Sequence, residues 1–110
     1  MSSPQVGVLW DQANLMIFPE SPTLAEAVTA LGARLYAVHL KNLLTNPAQL
    51  LCVSSLGDGI INIREQLRLL VEAGYEGPIC IESPRAGDRE HFLRQDVEYY
   101  RTVMQDLAHP

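Results

Sequence analysis

Leu35-Tyr36-Ala37-Val38-His39 runs an apolar segment straight into an ionisable side chain, and the chain repeats this at Val6-Gly7-Val8-Leu9-Trp10-Asp11 and at Ile79-Cys80-Ile81-Glu82. Side chains alternate between the two faces of a strand. Read as parallel strands, these segments put Gly7, Leu9 and Asp11 on one side, with Leu35, Ala37 and His39, and with Pro78, Cys80 and Glu82. The other side carries Val6, Val8, Trp10, Tyr36, Val38, Ile79 and Ile81, a bulkier set suited to lie under helices. Each strand then ends in an ionisable group on the same face, and carboxyl ends of parallel strands are where α/β proteins carry out their chemistry.

The intervening segments read as crossover helices. Ser21-Pro22 predicts an N-cap followed by proline at the first helical position; Leu24, Ala27, Val28 and Leu31 then share a face, and Gly32 stops the helix. Asn62 with Glu65 three residues on predicts a capping box, followed by Ile63, Leu67, Leu70 and Val71 at helical spacing and a stop at Gly74. Asp88 caps a third helix whose face reads Leu93, Val97, Tyr100, Met104 and Leu107. Residues 43–61 break this rhythm. Leu50-Leu51-Cys52-Val53 predicts a short extended segment between turns at Asn46-Pro47 and Gly57-Asp58-Gly59, and so long a loop at a strand's carboxyl end suits a lid or a surface excursion.

Strand alternating with helix predicts an α/β unit over residues 1–110 with a parallel sheet and right-handed crossovers. Three βα units cannot close an eight-stranded barrel, which takes about 200 residues or more. A three-stranded sheet also leaves two open edges and a bare face. We therefore expect a homo-oligomer, at least a dimer, or a complementing chain that supplies the missing strands.

Composition narrows the partners. With 47% hydrophobic and 19% charged residues the chain has the content of a folded core. Its net charge of −5, with eight scattered Lys and Arg, argues against a nucleic-acid backbone as ligand. No apolar run approaches the ~20 residues of a membrane span, and the N-terminus lacks a signal-peptide layout, so the expected location is cytoplasmic. Cys52 and Cys80 lack metal-motif spacing and read as small buried hydrophobes.

Taken singly, His39 reads as a hydrogen-bonded core residue, and Asp11 or Glu82 as a cap or a solvated strand end. Their recurrence at equivalent positions is what makes a ligand set, because a buried carboxylate is costly without a partner or an ion. Lys41 reads as a solvated or carboxylate-paired side chain. Arg85 and Arg89 are candidates either for a substrate anion or for a salt bridge at a helix start. Trp10 and Tyr75 read as packing residues, Trp10 having the wrong parity for the ligand face.

Leu9-Trp10-Asp11, Ala37-Val38-His39-Leu40-Lys41-Asn42, Leu56-Gly57-Asp58-Gly59 and Gly74-Tyr75-Glu76-Gly77-Pro78-Ile79-Cys80-Ile81-Glu82, in this order and spacing, resemble the carboxyl-terminal part of the xylose isomerase-like barrel superfamily. That group holds sugar phosphate isomerases and epimerases, ketose 3-epimerases, hydroxypyruvate isomerases, inosose dehydratases and endonuclease IV-type repair enzymes. The resemblance implies a partial (β/α)8 TIM barrel, about its last three βα units. It also implies one divalent ion held by Glu, Asp, His and Glu from the last four strands, three of which fall on Asp11, His39 and Glu82. The first glutamate has no counterpart, since its strand would lie upstream of Met1. Asn14 stands where many epimerases have the histidine of D-x-x-H, and Asn42 replaces the aspartate of H-x-K-D.

The implied chemistry moves a proton from a carbon beside a carbonyl through an enediolate, whose charge a divalent ion stabilises as a Lewis acid. Mixed carboxylate and imidazole ligands suit Mn, Mg, Co or Zn. Glu82 is the candidate to shuttle the proton. Asn14, Lys41 and Arg85 are candidates to bind a sugar or sugar phosphate. The competing expectation is a non-catalytic truncated remnant or oligomerisation module. An endonuclease IV-like nuclease needs a histidine-rich multi-zinc site, and this chain has three histidines in all.

Overall fold

The computed structural model describes residues 6–16 and 18–109. Strand β1 (Val8–Asp11) passes directly into one turn of helix, α1 (Gln12–Leu15), and then α2 (Leu24–Leu31) returns the chain to β2 (Leu35–Leu40). A hairpin of β3 (Asn42–Thr45) and β4 (Leu51–Ser54) follows, then α3 (Ile63–Glu72), β5 (Ile79–Ile81) and the long α4 (Arg89–Ala108). The main sheet runs β1-β2-β5 with both pairings parallel, as the strand–helix alternation predicts.

The helices begin where side chains satisfy orphan N–H groups. At α2 the cap is Thr23 rather than Ser21, because Glu26 lies three residues beyond Thr23 and each side chain bonds the other's backbone N–H. Asn62 caps α3 as expected, but Glu65 does not return the bond; its carboxylate is held by Arg68 instead. Asp88 caps α4 through the N–H of His91. Two positions on the expected helix faces turn outward: Val71 and Leu93 are each 48% exposed. On α4 the buried positions are Asp96 and Val103, so the covered face is rotated toward the turn at Leu56.

Residues 43–61 hold more order than expected. Leu51–Ser54 pairs antiparallel with Asn42–Thr45, making a second, two-stranded sheet. The Asn46 side chain accepts the N–H groups of Ala48 and Leu50 and closes the hairpin, with Gln49 at φ 63.

Trp10, Val38 and Leu40 are buried on the helix side of the sheet, in one core with Ala27, Ile63, Leu67, Leu70 and Val103. The expected parity slips at the starts of β1 and β2, where Val8, 38% exposed, is not covered by the helices. The β1–β2 register pairs Val8 with Leu35 but Leu9 with Ala37, skipping Tyr36. Leu35 is consequently buried, and Tyr36, 44% exposed, lays its ring where a Cβ on Gly7 would sit. The opposite face is bare. Leu9 is 48% exposed and Cys80 is exposed; Cys52, on the hairpin, is exposed too, so neither cysteine is the buried hydrophobe expected.

Leu44, Leu50, Leu51 and Val53 on the hairpin are also exposed. Covering such surface is worth roughly 25 cal/mol per Å², and among the described residues the outer edges of β1 and β5 have no partner strand. We expect light scattering at micromolar concentration to give a mass above that of one chain. A sharp monomer mass with a cooperative melt would count decisively against this. Among the described residues no helix is long and apolar enough to cross a membrane.

Candidate metal centre

Register brings the three strand-end groups together. Asp11 lies opposite His39, and His39 opposite Cys80, so Glu82, two residues past Cys80, falls on the same face. Its backbone N–H continues the ladder to the Leu40 carbonyl at 2.8 Å. Nδ1 of His39 is 2.7 Å from Oε1 of Glu82 and 3.9 Å from Oδ2 of Asp11. One ligand atom from each of the three residues lies within 4.8 Å of the others.

Lys41 completes the group. Its Nζ stands 3.1 Å from Oδ2 of Asp11 and 3.4 Å from Oε2 of Glu82, with the side chain 13% exposed. Partial burial pulls the ammonium's pKa down, but the hydrogen bond and charge of Asp11, and then those of Glu82, outweigh it and hold the pKa above the ordinary lysine value. As long as Asp11 and Glu82 are ionised, the pairing supports the fold below that ordinary value and is lost as pH rises through the raised one.

Asp11 does two jobs. Its Oδ1 accepts the Asn14 N–H at 3.1 Å and starts α1, leaving Oδ2 for the cluster. Asn14 thus enters the site through its backbone, its side chain exposed at the rim. Arg85 is not brought in. It is exposed, its carbonyl accepts Nε of Arg89 at 2.7 Å, and among the described residues it forms no ion pair with the cluster. Arg89 accordingly shapes the turn before α4. Trp10 is buried and donates its indole N–H to Gln12, and the Tyr75 hydroxyl donates to the Pro78 carbonyl, so both are packing residues.

One imidazole and two carboxylates converging at the strand ends fit a divalent ion, which Asp11, His39 and Glu82 would hold. His39 would coordinate through a deprotonated ring nitrogen.

Four supporting residues escape a reading by strand ends. Asn42 is 1% exposed and makes four hydrogen bonds: it donates to the Leu56 and Ile61 carbonyls, each at 2.8 Å, and accepts from the N–H groups of Leu43 at 2.9 Å and Ile61 at 2.8 Å. An aspartate could not supply the two donations, so the departure from H-x-K-D belongs to the scaffold and not to substrate contact. The glycines of Leu56-Gly57-Asp58-Gly59 serve the same packing. A Cβ on Gly59 would collide with the Asn42 side chain, and one on Gly57 would press within 3.1 Å of the Tyr99 ring.

Asp96, fully buried, accepts the Leu56 N–H at 2.9 Å and the Ser83 hydroxyl at 2.6 Å, tying α4 to the segment that carries Glu82. The readable signal was an aspartate three residues after Leu93, on a stripe that otherwise reads apolar.

The profile of the xylose isomerase-like TIM barrel family matches residues 1–103. The crystal structure of a xylose isomerase domain protein from Planctomyces limnophilus superposes with a TM-score of 0.79 at 25% identity, covering 99% of this chain and 41% of that one. This chain thus spans less than half the length of that protein. A search of curated proteins found no match.

Proposed function

Since the chain belongs to the xylose isomerase-like TIM barrel family, we propose that it is the carboxyl-terminal part of a divalent-metal-dependent sugar or sugar phosphate isomerase or epimerase, inactive by itself. The observation that carries this reading is the convergence of Asp11, His39 and Glu82 within 4.8 Å at the strand ends. A bound Mn, Mg, Co or Zn ion would polarise the substrate carbonyl and stabilise the charge left by proton removal.

The chain's own groups then have distinct tasks. Glu82 exchanges the proton on its own face of the substrate; its Oε1 faces His39 and its Oε2 faces Lys41, which fixes the carboxylate plane. Asp11, anchored through Oδ1, orients its remaining oxygen. Asn14 at the rim and Lys41 beside the two carboxylates would contact substrate hydroxyl or carbonyl oxygens, and Arg85, exposed three residues past Glu82, would take a phosphate that extends away from the cluster. No second carboxylate stands opposite Glu82 among the described residues to return a proton on the other face. The working protein is an assembly, either a homo-oligomer or a complex with a chain bearing the upstream barrel strands, in the cytoplasm. The single histidine of the cluster and the net charge of −5 disfavour a nuclease.

A second reading, a remnant without catalysis, draws support from the Lys41 ammonium that already neutralises half of the carboxylate charge of the cluster. Deuterium exchange separates the two. The chain alone with Mn²⁺ should leave the α-protons of ketose phosphates unexchanged in D₂O. Fused behind the upstream part of the Planctomyces protein that it does not cover, it should exchange them, and Glu82→Gln should stop this. Robust exchange by the isolated chain would overturn the claim of an incomplete site, and a folded, silent fusion would overturn the isomerase reading.

A further inference from the structure

Asp11 has one oxygen to offer a metal, and it is already in use. Oδ1 accepts the Asn14 N–H at 3.1 Å, so only Oδ2 faces the cluster, and Lys41 Nζ lies 3.1 Å from that same atom. Glu82 is divided in a similar way: Oε1 is 2.7 Å from His39 and Oε2 is 3.4 Å from Lys41. The ammonium therefore sits against two of the three groups that would ligate an ion. The charges say the same. Two carboxylates match a dication, whereas with Lys41 in place the dication meets carboxylate charge already half neutralised and a like charge a few ångströms away.

We propose that Lys41 is an internal counter-ion that holds the Asp11–Glu82 pair together in the metal-free protein and must be displaced for a divalent ion to bind, so that it sets the metal affinity of the site. This rests on the metal-centre reading given above. Lysine suits the role because its ammonium is a compact charge on a flexible four-carbon stem, and it leaves more readily than a bidentate arginine would. Once displaced it remains at the rim of the site, free to donate to an anionic oxygen of a substrate. Metal entry and the readiness of a substrate-binding cation thereby become one event.

The test is Mn²⁺ binding at fixed pH, by calorimetry or by the loss of the free-ion paramagnetic resonance signal, on wild type, Lys41→Met and Lys41→Arg. Removing the competing charge should tighten binding by about tenfold or more. Lys41→Arg should bind no tighter than wild type. Without metal, Lys41→Met should melt below wild type, because the carboxylates then repel, and Mn²⁺ should raise its melting temperature by more than it raises that of wild type. Lys41→Gln, which keeps a donor to the carboxylates, gives the affinity comparison should Lys41→Met fail to fold. If Lys41→Met and Lys41→Gln bind Mn²⁺ no tighter than wild type while Asp11→Asn abolishes binding, the metal centre stands and the counter-ion role is wrong. If Asp11→Asn leaves binding unchanged, the metal centre itself is wrong and this inference falls with it.

Discussion

Asn42→Ala is expected to be the most damaging single substitution in the chain, lowering stability by more than about 3 kcal/mol, as read from the midpoint of urea unfolding. The side chain is buried and ties Leu43, Leu56 and Ile61 through four hydrogen bonds. Truncation leaves two carbonyls and two N–H groups without these partners, and each buried unsatisfied group costs roughly 1–3 kcal/mol. Against a total stability of about 5–15 kcal/mol the loss is large. Asn42→Asp restores acceptors but not donors and should fall between wild type and alanine. Gly59→Ala should resemble Asn42→Ala, since its methyl would take the space of the Asn42 side chain. A loss below about 1 kcal/mol for Asn42→Ala would mean that the hairpin holds itself together and that this network is incidental.

The second large effect is linkage between metal and fold. Saturating Mn²⁺ or Zn²⁺ at about a hundred times the dissociation constant should add roughly 2.7 kcal/mol, a melting shift on the order of 10 °C. Glu82→Gln and Asp11→Asn should each abolish most of that shift. Their metal-free forms should melt at or slightly below wild type: Lys41 already relieves the carboxylate repulsion, so removing one carboxylate gains little and loses an ion pair. Glu72→Gln is the control. Glu72 is exposed and, among the described residues, is bonded by Arg68, one turn back on the surface of α3, where such pairs contribute about 0.3–0.5 kcal/mol. It should keep the full shift. Equal shifts in all three variants would show that the strand-end residues are structural and hold no metal.

Much of the candidate site could be read without coordinates because strand parity is local. Asp11, His39 and Glu82 share a face as a consequence of spacing along their own strands, and the parallel register then sets them side by side. Helix ends were legible for the same reason, since Asn62, Asp88, Gly32 and Gly74 act on their immediate neighbours. The α2 cap was displaced to Thr23 because Ser21-Pro22 and Thr23 are both plausible caps, and only the reciprocal bond with Glu26 chooses between them.

What the amino-acid order determined by itself was therefore period and punctuation: three strands, a helix after each, and one ionisable group at each strand end. What only the tertiary structure decided involves atoms distant in sequence. Lys41 turns onto Asp11, thirty positions earlier in the sequence, and onto Glu82. Asn42 closes the 43–61 segment around Ile61, and Asp96 reaches Leu56 across forty positions. The Leu9–Cys80 face stays bare because no described element packs on that side. A hydrogen bond or an ion pair needs its partner in place, and no periodicity announces which distant residue will arrive. Burial of a polar group such as Asn42 or Asp96 is stable only after that partner does.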